Sequence, residues 1–243
     1  MKRTVFIGVR SGSTRSIDKN IKPFLSDGTS LLQNRLLQLR KVKCDEIIVS
    51  TNCDICKTQA KEISNHDNRI KIINRSEDLC VSETKISQIM EHIAAESKNE
   101  TILWTHVTAP FISYEDLNNA FKLYEDENDY DSVVSVNKIQ NFLWDKDKKI
   151  VINNNNKKNK WPNTQDLYPL YEFNHAIYVC SKDLLATGER VGNFPYLYEC
   201  HAEAKIDIDW ERDFQHAKQL STISKNTRSL TDLYKILNHS KKT

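Results

Sequence analysis

Two short stretches carry residue types that can manage a charged ligand. The first is "GVRSGSTRSIDKN", residues 8–20, directly after the apolar run Val5-Phe6-Ile7. Ser11, Gly12 and Ser13 let backbone N–H groups approach an anion closely, and Arg10, Arg15 and Lys19 can neutralise it. The stretch fits neither G-x-G-x-x-G nor G-x-x-x-x-G-K-[ST], so it points to phosphate without specifying a dinucleotide site or a P-loop. A solvated polar loop is the competing reading. The second stretch is "KIDIDWERDF", residues 205–214, read as a late apolar strand with two carboxylates at alternate positions. Side chains at i and i+2 of a strand share a face, so Asp207 and Asp209 converge. Two like charges so placed need a cation between them, and a hard divalent ion such as Mg2+, held together with a phosphate chain, meets that need. The alternative is a strand end in which Asp209 caps the following helix.

A third pattern is Cys53-Asp-Ile-Cys56, between the apolar run "EIIVST" and the helical "KTQAKEI". Strand, C-x-x-C, helix is the layout of a thiol oxidoreductase, in which a helix N-terminus lowers a thiol pKa. The pair lies behind a complete strand-loop-helix unit and lacks an aromatic before the first cysteine. Two ordinary cysteines in a first helical turn fit it better, and no second pair completes a zinc site.

These residues must be held by elements, and the elements alternate. Apolar runs rich in Val and Ile at 4–9, 45–51, 70–73, 101–107 and 131–136 are separated by segments with helical spacing, as in "SLLQNRLLQLRKV". Helix starts are expected at Ser82-Glu83-Thr84 and at Ser113, before Glu115 and Asp116. Alternation of this kind predicts an α/β fold, doubly wound, with a mostly parallel sheet covered on both faces. From 137 to 173 the alternation breaks into aromatic and β-branched residues around an Asn/Lys centre, which reads as a strand pair with an exposed tip. Strands are then expected at "NHAIYVCS", "FPYLYEC" and "AKIDID", and helices at "WERDFQHAKQL" and "LTDLYKILNHS". The whole chain, 1–243, reads as a single domain with 137–173 as an inserted arm.

Composition narrows the partners. Thirty-five lysines and arginines stand against 33 aspartates and glutamates, a formal net charge of +2, which argues against a general nucleic-acid binder. No 18-residue apolar run occurs and "MKRTVFIGVR" is charged from its second residue, so no membrane partner and a cytoplasmic location are expected, with the six cysteines reduced.

The two charged stretches together resemble the sugar-acid cytidylyltransferases of the acylneuraminate (CMP-sialic acid synthetase) type. Members open with a strand followed by a pattern close to A-R-x-x-S-K-x-x-x-x-K-N, and residues 9–20 align with it without a gap, Val9 and Thr14 departing. Thr14-Arg15 looks more like the 3-deoxy-manno-octulosonate branch. Similarity continues through "DEIIVST", "NRSEDLCVSET", "WTHVTAPF", "TQDL", "NHAIYV" and "IDID", in order over nearly the whole chain. The resemblance implies a nucleotide-diphospho-sugar transferase-like fold of Rossmann type, and CMP transfer from CTP to an acidic 2-keto sugar with release of pyrophosphate. It implies catalytic roles for Arg10, Lys19, Asp207 and Asp209, the last two as Mg2+ ligands. Nucleotide contacts would come from Arg10, Ser11, Gly12, Ser13, Thr14, Lys19, Asn20, Arg75, Ser82 and Ser87. Acceptor contacts would come from His106, Thr108, Gln165, Asn174 and His175. It also implies a homodimer built through the arm.

Departures gather on the acceptor side. Asn163 stands where many relatives carry an arginine before "TQDL", the natural partner of the sugar carboxylate. His106 stands where Gln is usual and His175 where Gly is usual, so the carboxylate must find another cation or a set of hydrogen bonds, with His106, His175 and Gln165 as candidates; a histidine in that role must be protonated, and acceptor binding is then expected to weaken as pH rises through neutrality. A non-sialate acceptor, 3-deoxy-octulosonate or another acidic sugar, stays open.

Overall fold

A computed structural model describes residues 1–12, 16–126, 129–156 and 158–240. Its first half is a run of βα units: β1 (Arg3–Gly8), α1 (Leu31–Leu39), β2 (Glu46–Thr51), α2 (Asp54–Ser64), β3 (Ile70–Asn74), α3 (Ile86–Glu96), β4 (Thr101–Thr105) and α4 (Tyr114–Asp126). The second half holds β5 (Ser132–Ile139), β6 (Trp144–Asp145), β7 (Ile150–Val151), β8 (Leu170–Ser181), α5 (Lys182–Ala186), β9 (Pro195–Glu199), α6 (Glu211–Leu220) and α7 (Leu230–Ser240).

One seven-stranded sheet has the order β3-β2-β1-β4-β8-β5-β9. Pairings are parallel except those of β8, which runs antiparallel to both β4 and β5. The chain winds outward from β1 through β2 to β3, then returns to place β4 on β1's other side, which makes a topological switch point between β1 and β4. In open α/β sheets the crevice for a ligand opens at the carboxyl ends of the strands at such a point.

Strands covered on both faces need apolar residues at every position. Val5, Ile7, Ile47, Val49 and Leu103 accordingly pack under α1, α2, α4, α6 and α7, while Phe6, Ile48, Ile102 and Trp104 pack under α3 and α5. Each fully buried side chain of this size contributes about 1.5–3 kcal/mol. Helix α1 is buried along its whole length and opens with a capping box between Ser30 and Gln33. Its polar residues are spent on the loop after β4. Asn34 Nδ2 and Gln38 Nε2 donate to the Pro110 carbonyl at 3.2 and 2.8 Å, and the fully buried Arg35 guanidinium donates to the carbonyls of Ala109 and Ile112. Burial without a counter-ion pushes the Arg35 pKa down to about 9.

Three expectations need correction. The segment "AKIDID" is no strand: residues 202–205 form a 3-10 turn, and the extended stretch beyond it is tied to the loop after β4 by Ile208 N–H donating to the Thr108 carbonyl at 2.9 Å. Helix α3 starts at Ile86 rather than at Ser82–Thr84, because the Thr84 hydroxyl donates to the Asp78 carbonyl and the Gln88 side chain accepts from Lys85 N–H. The capping role considered for Asp209 falls to Asp213, whose carboxylate accepts from the N–H of Trp210, the residue before α6. The strand pair of 137–173 is present: Val136 to Ile139 of β5 pair with Phe173 to Leu170 of β8, and β6 and β7 add a short ribbon beyond. Among the described residues no helix is long and apolar enough to cross a membrane.

Candidate active site

The carboxyl end of β1 is built around a close approach. A Cβ on Gly8 would lie 2.4 Å from Arg75 Nη2, so the absence of a side chain at Gly8 is what lets the guanidinium pass over the strand end. Arg75 follows β3 and is nearly fully buried; its Nε donates to Ser50 Oγ at 3.1 Å and its Nη2 to the Ser50 carbonyl at 2.9 Å. No carboxylate pairs with it among the described residues, and burial lowers its pKa. A desolvated guanidinium held only by neutral oxygens is poised for an anion or a polar ring. Arg10 Nη1 donates to the Cys80 carbonyl at 2.7 Å, which brings a second cation to the same edge.

The loop between them turns through Gly12, at φ +75°, a left-handed conformation that favours glycine. Ser11 N–H donates to Asn52 Oδ1 at 3.2 Å. Ser13 and Thr14, with Arg15, lie outside the described residues. Arg10, Ser11, Gly12, Lys19 and Asn20 line one crevice, with Cys53 and Cys56 beside them. Asn20 Oδ1 is buried in it without a hydrogen-bond partner. Cys53 is the N-cap of α2, and the Cys56 thiol is pushed well above the usual range, first by burial and then by Cys53. Both cysteines are free thiols, and Cys53 is spent as the cap, its Sγ accepting from Cys56 N–H at 3.5 Å. Ser82 is exposed in the turn ahead of α3, and Ser87, inside α3, packs against Gly188 rather than into this crevice.

Across the crevice, Lys19 joins the two stretches. Its Nζ donates to the Ile208 carbonyl at 2.5 Å and lies 3.6 Å from Asp209 Oδ1. Burial pushes the Asp207 carboxyl up, as does the charge of Asp209, while Thr108 and Lys19 oppose them. Asp207 Oδ1 is buried with no hydrogen-bond partner. Two hard carboxylates, one carrying an orphaned oxygen and both beside a phosphate-type loop, fit Mg2+, which takes one or two protein carboxylates and fills its octahedron with phosphate oxygens and water. No cluster of three or more His, Cys, Asp or Glu with metal-ligand geometry exists among the described residues, so any further ligands must come from substrate or solvent.

On the β4–β8 side, His106 Nδ1 meets the His175 carbonyl at 2.7 Å, and its ring stacks at 5.0 Å on Trp104. Because a carbonyl can only accept, Nδ1 carries the proton and Nε2 is left as an acceptor. Burial pushes the His106 pKa down to about 4. With Nδ1 committed to a carbonyl and the pKa pushed down, the neutral ring is favoured at His106 over the protonated form expected to replace the arginine. His175 sits at φ +59°, its Nδ1 2.7 Å from Tyr178 Oη. Thr108 holds the Asp207 stretch through its carbonyl. The Asn174 amide is engaged in the sheet, its Oδ1 accepting from Ser135 Oγ at 2.5 Å and its Nδ2 donating to Asn137 at 2.9 Å. Gln165 is exposed in the arm, and its carbonyl accepts from Gln140 Nε2; no described hydrogen bond carries it to the His106 cluster. Arg190, which carries no motif, proves to belong here. Its guanidinium lies 4.1 Å from the Tyr178 ring centre and 5.0 Å from that of Trp104.

A family profile described as cytidylyltransferase matches residues 4–240. The chain belongs to the cytidylyltransferase family. Within reach of that family, the N-acylneuraminate cytidylyltransferase of Streptococcus agalactiae serotype III (strain NEM316) is 25% identical over 224 residues, covering 89% of this chain and 52% of the relative. The serotype V protein (strain ATCC BAA-611 / 2603 V/R) is similar to the same extent. The chain thus spans about half the length of the curated relatives it matches. Among solved structures, a CMP:2-keto-3-deoxy-manno-octonic acid synthetase complexed with CTP superposes at TM-score 0.67 with 11% identity, covering 91% of this chain and 99% of that one. A 4-diphosphocytidyl-2C-methyl-D-erythritol synthase from Anaerococcus prevotii DSM 20548 superposes at 0.62 with 18% identity, covering 91% and 96%. These likenesses establish the family's fold here, a mostly parallel Rossmann-like sheet.

Proposed function

We propose that the protein transfers CMP from CTP to the anomeric hydroxyl of an acidic 2-keto sugar, releasing pyrophosphate. The observation that carries this reading is the meeting of Lys19, Asp207 and Asp209 across the switch-point crevice, 3.6 Å between Lys19 Nζ and Asp209, in a chain of the cytidylyltransferase family. Arg10 and Lys19 would meet the triphosphate together with N–H groups of the loop, and their charges would stabilise the departing pyrophosphate. Asn20, through its unpartnered carbonyl oxygen, and Arg75 would receive polar edges of the nucleotide. Asp207 and Asp209 would hold Mg2+, which when bound neutralises phosphate oxygens. Thr108 and Lys19 hold the Ile208 backbone between the two carboxylates before substrate arrives, so little reorganisation is needed at the reacting phosphorus. His106 Nε2 would accept from a sugar hydroxyl. The exposed aromatics of the arm, Trp144, Trp161 and Tyr168, support its use in pairing two copies of the chain.

Pyrophosphate release is the test, measured with CTP and Mg2+ against N-acetylneuraminate, 3-deoxy-manno-octulosonate and neutral hexoses. CTP-dependent release with at least one acid and none with hexoses is expected. Equal release with every sugar, or none with any, would overturn the reading. Light scattering of the purified chain should give twice the monomer mass, and a monomer would remove the arm from that role.

A further inference from the structure

A 2-keto sugar acid brings a carboxylate that must be matched inside a half-dry site, and this chain lacks an arginine before "TQDL". Asn163 is uncharged and exposed in the arm, its Nδ2 3.4 Å from Asp166. His106 has its Nδ1 spent on the His175 carbonyl, 2.7 Å away. Arg10, Lys19 and Arg75 lie on the nucleotide side of the crevice. We infer that Arg190 is the cation that receives the acceptor's carboxylate, a specificity residue outside every motif of the sequence. The assignment rests on the function proposed above.

Four observations carry it. The guanidinium is seated on the faces of Tyr178 and Trp104, at 4.1 and 5.0 Å from the ring centres, and those rings belong to the His106–His175 cluster. Seating on ring faces holds the cation through the quadrupoles of the rings without a hydrogen bond to either of them. Its N–H donors are uncommitted: among the described residues the guanidinium forms no ion pair and no hydrogen bond. The adjacent Glu189 does not consume it, because Glu189 Oε1 accepts from the backbone N–H groups of Arg190 and Val191, at 2.7 and 3.0 Å. Finally, the loop that presents Arg190 is anchored. Asp131 Oδ2 accepts from Asn193 N–H at 2.6 Å and Phe194 N–H at 3.1 Å, and the Ser132 hydroxyl donates to the Val191 carbonyl. Gly192, at φ +71°, passes so close that a Cβ there would lie 2.3 Å from Asp131 Oδ1. A half-buried, unpaired, pre-positioned fork of donors is what bidentate recognition of a carboxylate requires.

The test compares wild type, Arg190→Lys and Arg190→Met in pyrophosphate release at saturating CTP. The acceptor is whichever of N-acetylneuraminate and 3-deoxy-manno-octulosonate the wild type turns over, tested beside its C1 amide. Loss of a charge-assisted pair worth about 1.5–3 kcal/mol corresponds to a rise in acceptor KM on the order of 10- to 100-fold in Arg190→Met. The KM for CTP should stay within about twofold, since the nucleotide side is untouched, and Arg190→Lys should fall between. Wild type should prefer acid to amide by a similar factor and Arg190→Met should lose that preference; a merely structural arginine would weaken both acceptors alike. Should Arg190→Met not fold, Arg190→Lys decides by the same acid-to-amide ratio, which must fall. An unchanged ratio in a variant with normal CTP KM overturns Arg190 while leaving cytidylyl transfer intact. Wild-type turnover of neutral sugars alone, or of none, overturns the functional reading and this assignment with it.

Discussion

The two sides of the crevice handle their polar groups in opposite ways. On the β1–β3 side they are held but unspent: Arg75 is buried against neutral oxygens only, and Asn20 Oδ1 has no hydrogen-bond partner among the described residues. On the β4–β8 side most are consumed by one another, His106 on the His175 carbonyl, His175 on Tyr178, Asn174 on Ser135 and Asn137, with the Arg190 guanidinium and Trp104 Nε1 left over. Each orphaned buried group costs about 1–3 kcal/mol of folding free energy, a cost a ligand can relieve. The first side therefore stores binding capacity for a polar, charged ligand of fixed shape. The second is a largely self-satisfied wall that a ligand meets through few points.

The largest expected effect comes from removing the two carboxylates that face Lys19 and Thr108. Asp207→Asn and Asp209→Asn are each expected to lower turnover by about 10²- to 10³-fold, as when a charge-stabilising group is lost, with far-UV circular dichroism unchanged. EDTA should abolish wild-type turnover; a metal-free enzyme that still releases pyrophosphate would take Mg2+ out of the site.

Next in size come the cations. Arg10→Ala and Arg75→Ala should raise the KM for CTP and lower kcat, about 10- to 100-fold in kcat/KM for a lost charged hydrogen bond. Gly8→Ala supplies an independent route to the same defect, because its Cβ would have to occupy the place of Arg75 Nη2, 2.4 Å away. Normal CTP kinetics in Gly8→Ala would show that Arg75 does not need that seat.

A stability measurement probes the wall. Arg35→Ala leaves the carbonyls of Ala109 and Ile112 unpaired inside the core and opens a cavity, so urea denaturation should register a loss of about 3 kcal/mol. The loop carrying His106 and Thr108 should loosen with it, raising acceptor KM more than CTP KM.

The smallest effect is in pH. His106 has a folded-state pKa near 4 against an ordinary value of about 6.5, so between those values the unfolded chain binds more protons than the folded one. Its contribution to stability is present above pH 6.5 and is lost as pH falls towards 4. His106→Gln should therefore flatten the acid limb of the melting-temperature profile, and the acceptor KM of the wild type should be level from pH 6 to 8. A rise in that KM across neutrality would mean that a histidine does carry the acceptor's charge.

Much of the frame was legible because buried parallel strands must be apolar at nearly every position. Val5 to Ile7, Ile47 to Val49 and Ile102 to Trp104 announced themselves as short runs. The stretch "KIDID" misled for a related reason. Its alternation is real and the chain there is extended, but it meets its neighbour through one hydrogen bond, Ile208 N–H to Thr108, where a strand would make a ladder. Arg10, Lys19, Asp207 and Asp209 were visible because each stretch is local. Arg190 and Arg35 were not. The first acquires its setting from Trp104 on β4 and Tyr178 on β8, and the second from carbonyls more than 70 residues away, placements no local pattern encodes.

Strand β8 is a single twelve-residue beam shared by two structures. Leu170 to Phe173 belong to the arm, and five residues on, Tyr178 to Cys180 are locked between β4 and β5. Between them the backbone turns through the positive φ of His175, beside the irregularity at Ser135 of β5. A push on the arm is thus delivered to His175 and its carbonyl, and from there to His106, without a hinge of more than a few residues to absorb it. The arm and the His106–His175 wall form one mechanical part, so whatever grips the arm also sets the tension on that side of the crevice.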